Sequence, residues 1–137
     1  MNLGQTLMSL LALILFATIT VSINRTRINA TYQTIDHQIE LEAINYGQSL
    51  MEIVSNIANT ESGYQNLTST FNNWENQKTF PNGSGETLYS SIVVEESPGL
   101  IRHGVNYKKV TISVFTDSTR ISNHMKSEYT AAFNNWW

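Results

Sequence analysis

Apolar residues dominate the start of the chain, and no charge interrupts them. Leu7 to Ile23 reads LMSLLALILFATITVSI, broken only by the small hydroxyls of Ser9, Thr18, Thr20 and Ser22. As a helix these residues span about 25 Å, at the short end of a bilayer crossing, and counting back to Leu3 makes the crossing comfortable. The pattern does not stop there. From Ile28, apolar or aromatic side chains fall at Ile28, Tyr32, Ile35, Ile39, Ala43, Tyr46, Leu50, Ile53 and Ile57. Steps of three and four residues held this long mark one helical face. A second line through Ile44, Met51, Val54 and Ala58 widens that face. Gly47 is the weak residue inside it, costing about 1 kcal/mol relative to Ala. No proline occurs before Pro81. The spacing therefore predicts one continuous helix of more than 50 residues, about 80 Å long. A globule of 137 residues cannot bury it, so it must pack against other chains, cross a membrane, or do both.

The remainder changes period. Gly63, Asn66, Asn72, Asn73, Asn76 and the run PNGSG at Pro81–Gly85 predict a loop-rich stretch, with Phe71 and Trp74 on one short helical turn. Thr87–Glu95 and Tyr107–Thr116 alternate with a period of two and predict strands. Ser97-Pro98-Gly99 ends the first, Leu100–Asn106 connects them, and Asp117–Thr119 is the next turn. Arg120–Phe133 fits a helix through Ile121, Met125, Tyr129 and Phe133, or a third strand. The strand is preferred, because a two-stranded sheet is only marginally stable. The expected fold class is α+β: residues 1–60 as an assembly or transmembrane helix, residues 61–137 as a small antiparallel β domain. The closing Asn134-Asn135-Trp136-Trp137 is expected to pack on the sheet or on a neighbouring subunit.

Composition sharpens this picture. Only 14% of residues are charged, against about 25% in ordinary soluble chains, and the first charge is Arg25. A net charge of -3 without a basic patch leaves nothing to neutralise phosphates, so nucleic acid is not an expected partner. With the first quarter of the chain in lipid or in a polymer, the core left over is thin. The chain has no cysteine, so disulfides cannot staple it. Support from neighbouring copies is the physical alternative.

Three readings of the N-terminal run compete. A secretory signal should carry a basic n-region and a small-x-small cleavage site, and MNLGQT has no Lys or Arg. A simple membrane anchor would place Arg25 and Arg27 just outside the apolar core, on the cytoplasmic side. The third reading is an assembly helix. A dimeric coiled coil behind an anchor would also explain the stripe, but Arg27–Asn59 contains no Lys to alternate with its acidic residues.

No catalytic constellation stands out, and neither an enzyme nor a cofactor is expected. The histidines His37, His103 and His124 form no metal-binding motif, and His124 with Asp117 is the one pair that could approach a cation. Glu95 and Glu96 are adjacent on a strand and so point to opposite faces. PNGSG lacks the Lys of a phosphate loop. Sequons occur at Asn24, Asn29, Asn66 and Asn82. Asn66 and Asn82, in expected surface loops, are the better candidates for glycosylation.

An uncharged apolar helix at the N terminus, running into an amphipathic half and then a small antiparallel sheet, resembles the type IV pilins and pseudopilins. MNLGQTL at Met1–Leu7 looks like a degenerate prepilin junction, in which a Gly precedes the apolar helix. The likeness covers the whole chain in layout and about seven residues in motif. It implies cleavage after Gly4 and a mature chain beginning at Gln5. It implies a self-associating homopolymer, held in the inner membrane before pilus-type assembly machinery moves it into a filament on the cell surface. The subunit-interface helix would then present Leu7, Leu10, Leu11, Leu13, Ile14, Leu15 and Phe16, followed by Ile35, Ile39 and Leu50. The chain departs from the family at several points: no basic leader, Ser9 where an acidic residue is usual, no helix-breaking proline and no clipping cysteines.

Overall fold

The computed structural model describes residues 2–97 and 107–134. Its architecture is α+β, one long helix followed by a four-stranded antiparallel sheet. Helix α1 runs unbroken over Leu3–Ala58, 56 residues, because no proline interrupts its backbone hydrogen bonds and Gly47 is its one weak helix former past the first turn. The chain forms two compact units, Met1–His37 and Gln38–Trp137. The boundary falls inside the helix rather than near residue 60, because the last part of α1 buries a face in the core of the second unit.

That face carries Ala43, Tyr46, Gly47, Leu50, Val54 and Ala58. It follows the expected stripe as far as Leu50, then passes to Val54 and Ala58, leaving Ile53 exposed. Each four-residue step advances the face by about 40°, so the buried line winds around the helix. Leu50 is only 5% exposed. This corrects its expected place on a subunit interface: it belongs to the core cluster of its own chain. Ile39 is half-buried at the start of the same core.

Thr60 makes the corner after α1. Its hydroxyl donates to the Ile57 carbonyl (3.0 Å) and accepts from the Gly63 amide (3.1 Å). A Cβ on Gly63 would lie 2.0 Å from the Ile57 carbonyl oxygen, so the corner needs glycine. Two short helices follow, α2 (Glu61–Gln65) and α3 (Leu67–Thr70). They bury Tyr64 and Leu67.

The strands are β1 (Trp74–Thr79), β2 (Thr87–Ser97), β3 (Tyr107–Phe115) and β4 (Met125–Asn134), in the order β1-β2-β3-β4. The pattern predicts three strands; the fourth is β1, inside the stretch expected to be loop. Phe71 and Trp74 do not share a helical turn. Phe71 ends α3 and Trp74 opens β1, with their rings edge to face at 6.2 Å. The segment that fits helix or strand is a strand, entered from a 3-10 turn at Ser122–His124. The inner face of the sheet brings Leu88, Ser90 and Ile92 beside Val110, Ile112 and Val114, with Tyr129, Ala131 and Phe133 on β4. Ile92 pairs with Ile112, and Ile112 with Tyr129. The expected connection at 100–106 and the terminal Trp136-Trp137 lie outside the described residues.

Candidate assembly surface

Residues 3–37 carry most of the exposed large apolar side chains of the described chain. A run with this composition has apolar side chains on every side, since successive residues turn by about 100°. Leu7, Leu10, Leu11, Leu13, Ile14, Leu15 and Phe16 are all exposed, as are Leu3, Met8, Ile19, Val21 and Ile23. A helix apolar all round belongs inside a protein assembly or a membrane. It is the one described helix long and apolar enough to cross a bilayer, and none of its apolar window is buried within the chain. Exposure continues past the charge-free run at Ile28, Tyr32 and Ile35.

Most hydroxyls of this surface are already bonded to the helix itself. The hydroxyls of Thr6, Ser9, Thr18, Thr20, Thr26, Thr31 and Thr34 each donate to the carbonyl four residues earlier. For Ser9, Thr20, Thr26, Thr31 and Thr34 the distances are 2.8–3.0 Å. Moving an unsatisfied hydroxyl out of water is costly, and back-bonding to the helix removes that cost. Sequence reasoning counted Ser9, Thr18 and Thr20 as interruptions and missed that their geometry makes them compatible with a dry environment. Their placement on a helix was the signal that could have shown it.

Gly4 and Gln5, the expected cleavage junction, are exposed in the first turn of α1, with no other group within 4 Å of the position a Gly4 Cβ would take. The Gln5 amide donates to the Asn2 carbonyl at 2.9 Å.

The two preferred sequons are exposed at their asparagines and engaged at their hydroxyls. In the Asn66 sequon, Thr68 donates to Glu96 (3.0 Å) and accepts from Lys108 (3.3 Å), while the Asn66 amide donates to the Ser62 carbonyl (2.9 Å). In the Asn82 sequon, the hydroxyl and amide of Ser84 both donate to the Glu42 carboxylate, the amide at 2.8 Å. Glu42 thereby clamps the Pro81–Gly85 turn to the helix.

Four of the remaining candidates lie in ion pairs within the chain. Glu95 faces Lys109 at 3.5 Å and Glu96 faces Lys108 at 3.3 Å. The Lys108 ammonium is buried, donates to the Gln65 carbonyl (3.1 Å) and lies 5.1 Å from the centre of the Tyr64 ring. The Thr68 hydroxyl and the Lys108 ammonium hold the Glu96 carboxyl below the usual carboxylate range. Burial, and then the Glu96 charge, push the Tyr64 phenol up. His124 Nε2 lies 3.9 Å from Asp117 Oδ2. The Thr119 amide is the main reason the Asp117 carboxyl sits below its ordinary value. No group of three potential metal ligands occurs among the described residues. No family model, curated protein or solved structure matches the chain.

Proposed function

We propose that this chain is a structural subunit of an extracellular, pilin-like filament, without catalytic activity of its own. The N-terminal half of α1 forms the shared core of a homopolymer, and the sheet unit faces solvent. The observation that carries the reading is the exposure of Ile28, Tyr32 and Ile35 beyond Ile23. A membrane anchor has no use for an apolar stripe past its own span, whereas a helix packed among copies of itself does. Each Leu- or Ile-sized side chain buried in such a bundle contributes roughly 1.5–3 kcal/mol. The membrane holds the subunit before assembly machinery extracts it.

Negative-stain microscopy of sheared cell-surface material, with an antibody to the sheet unit, tests the proposal. Filaments decorated along their length support it. Absence of decorated filaments, with only monomers or dimers in detergent, replaces it with a single-pass membrane protein whose coiled-coil stalk carries a small ligand- or partner-binding domain. N-terminal sequencing of the mature chain decides whether Gly4 is a cleavage site.

A further inference from the structure

Arg27 and Asp36 are nine residues apart on one unbroken helix. Nine residues make two and a half turns, so the two charges lie on opposite sides of α1 and cannot meet within one chain. Both are exposed, as is Arg25. Two more pairs share this spacing and these two sides. Phe16 and Ile23 lie with Arg27; Arg25 and Tyr32 lie with Asp36. Phe16 is 72% exposed, Ile23 49% and Tyr32 69%.

We infer that one side of this helix binds the opposite side of the same helix in a second, parallel copy displaced along the axis by nine residues, about 14 Å. The inference deepens the filament reading above. At that displacement three complementary pairs form together. Arg27 meets Asp36 of the next copy, Ile23 packs on Tyr32, and Phe16 lies against the Arg25 guanidinium. These are an ion pair, an apolar contact and a cation–aromatic contact. The occupant is another copy of this chain because each side of the helix carries what the other side lacks. A contact between two different faces does not close on itself, so each copy added leaves both faces available again. In-register copies in the same contact would instead set Arg27 against Arg25, two like charges.

The chain has no cysteine, so introduced thiols report this contact without background. The full-length R27C/D36C variant is oxidised in membranes and in sheared surface material, then run without reductant. A disulfide needs Cα atoms within about 7 Å, which opposite sides of one helix exclude. A ladder of covalent oligomers from the double variant, and none from either single variant, is the expected result. The I23C/Y32C variant keeps both charges and should give the same ladder. I23C/D36C, with a thirteen-residue spacing, should cross-link at least tenfold less. Wild-type filaments with no ladder from either nine-residue pair overturn the inference and leave the filament reading standing. A ladder in membranes with no wild-type filaments overturns the filament reading and supports the pairing.

Discussion

The side chain that Gly47 lacks would occupy the same space as the ring of Tyr129. A Cβ at Gly47 would lie 2.5 Å from Tyr129 Cε2 and 2.7 Å from Cδ2. The glycine lets strand β4 approach the helix closely enough for two side chains to reach its backbone. Ser127 donates to the Ala43 carbonyl (3.0 Å), and the Tyr129 hydroxyl to the Ile44 carbonyl (3.2 Å). As a helix residue Gly47 is a liability; as a notch for β4 it is required.

Gly47→Ala should therefore destabilise the protein, although alanine is the better helix former. Overpacking costs about 1–3 kcal/mol, against about 1 kcal/mol gained in helix propensity, leaving a net loss of about 1 kcal/mol. Denaturant unfolding of the full chain in mild detergent, followed by tryptophan fluorescence, measures it. Gly47→Ala combined with Tyr129→Ala should lose less than the sum of the two single changes. A fully additive pair would sink the steric account.

The Glu42 clamp predicts a local effect. Glu42→Ala removes the acceptor for both the amide and the hydroxyl of Ser84. A hydrogen bond to a charged group contributes about 1.5–3 kcal/mol, and partial exposure of Glu42 reduces that to about 1 kcal/mol. Amide hydrogen exchange at Ser84 should speed up by about fivefold, with little change at Ile112 in the sheet centre. Unchanged exchange at Ser84 would show that Glu42 does not hold the turn.

How much of this could be read beforehand depended on whether a residue's partner was local. The length of α1 follows from what the segment lacks, and β2 and β3 from strict alternation at residues such as Val110, Ile112 and Val114. β1 escaped because Trp74–Thr79 reads WENQKT and buries little beyond part of Trp74. Its reason for being extended is its pairing with β2, from Trp74 opposite Ile92 to Thr79 opposite Thr87. Leu50 shows the converse limit. A helical stripe states that something covers it, and says nothing of whether the cover is the same chain or another. The large apolar residues from Leu7 to Ile35 are exposed, and that exposure is the support for proposing them as a shared surface.

Acid should loosen the sheet unit. The Glu96 and Asp117 carboxyls both sit below their ordinary values in the folded protein. A group lowered on folding contributes stability above its unfolded pKa, near 4 for carboxylates, and loses it as pH falls through the folded value. The unfolding midpoint should hold from neutral pH to about pH 5 and decline below it. Glu96→Gln and Asp117→Asn should each flatten that decline, by a small amount because both groups are exposed. An acid limb identical in both variants would assign it to other carboxylates.

The buried ammonium of Lys108 should matter more than any exposed charge. It satisfies the Gln65 carbonyl at the end of α2 and approaches Thr68 on α3 and Glu96 on β2. Lys108→Met keeps most of the aliphatic volume and removes the donor. A hydrogen bond from a charged donor contributes about 1.5–3 kcal/mol, so its loss costs at most that. Limited proteolysis should cut first near residues 60–70 in this variant, while β2 and β3 stay protected. An unchanged cleavage pattern and midpoint would show that the ammonium does not hold α2 and α3 to the sheet.

Leu13→Asp separates assembly from folding. Leu13 is 69% exposed and belongs to the compact unit Met1–His37, whereas the core cluster belongs to Gln38–Trp137. The change removes roughly 1.5–3 kcal/mol of apolar burial per copy and sets a carboxylate in the dry region, where an aspartate costs about 2.5–3.5 kcal/mol at a helix centre. A defect of that size at every subunit contact multiplies along a polymer. Filament yield should therefore fall below detection. The unfolding midpoint of the sheet unit, read from its tryptophan fluorescence in detergent, should remain that of the wild type. Leu13→Met keeps the volume and apolarity and should assemble normally. Filaments of normal yield from Leu13→Asp would remove Leu13 from the packed core and, with it, the reason for reading residues 3–23 as the dry half of an assembly helix.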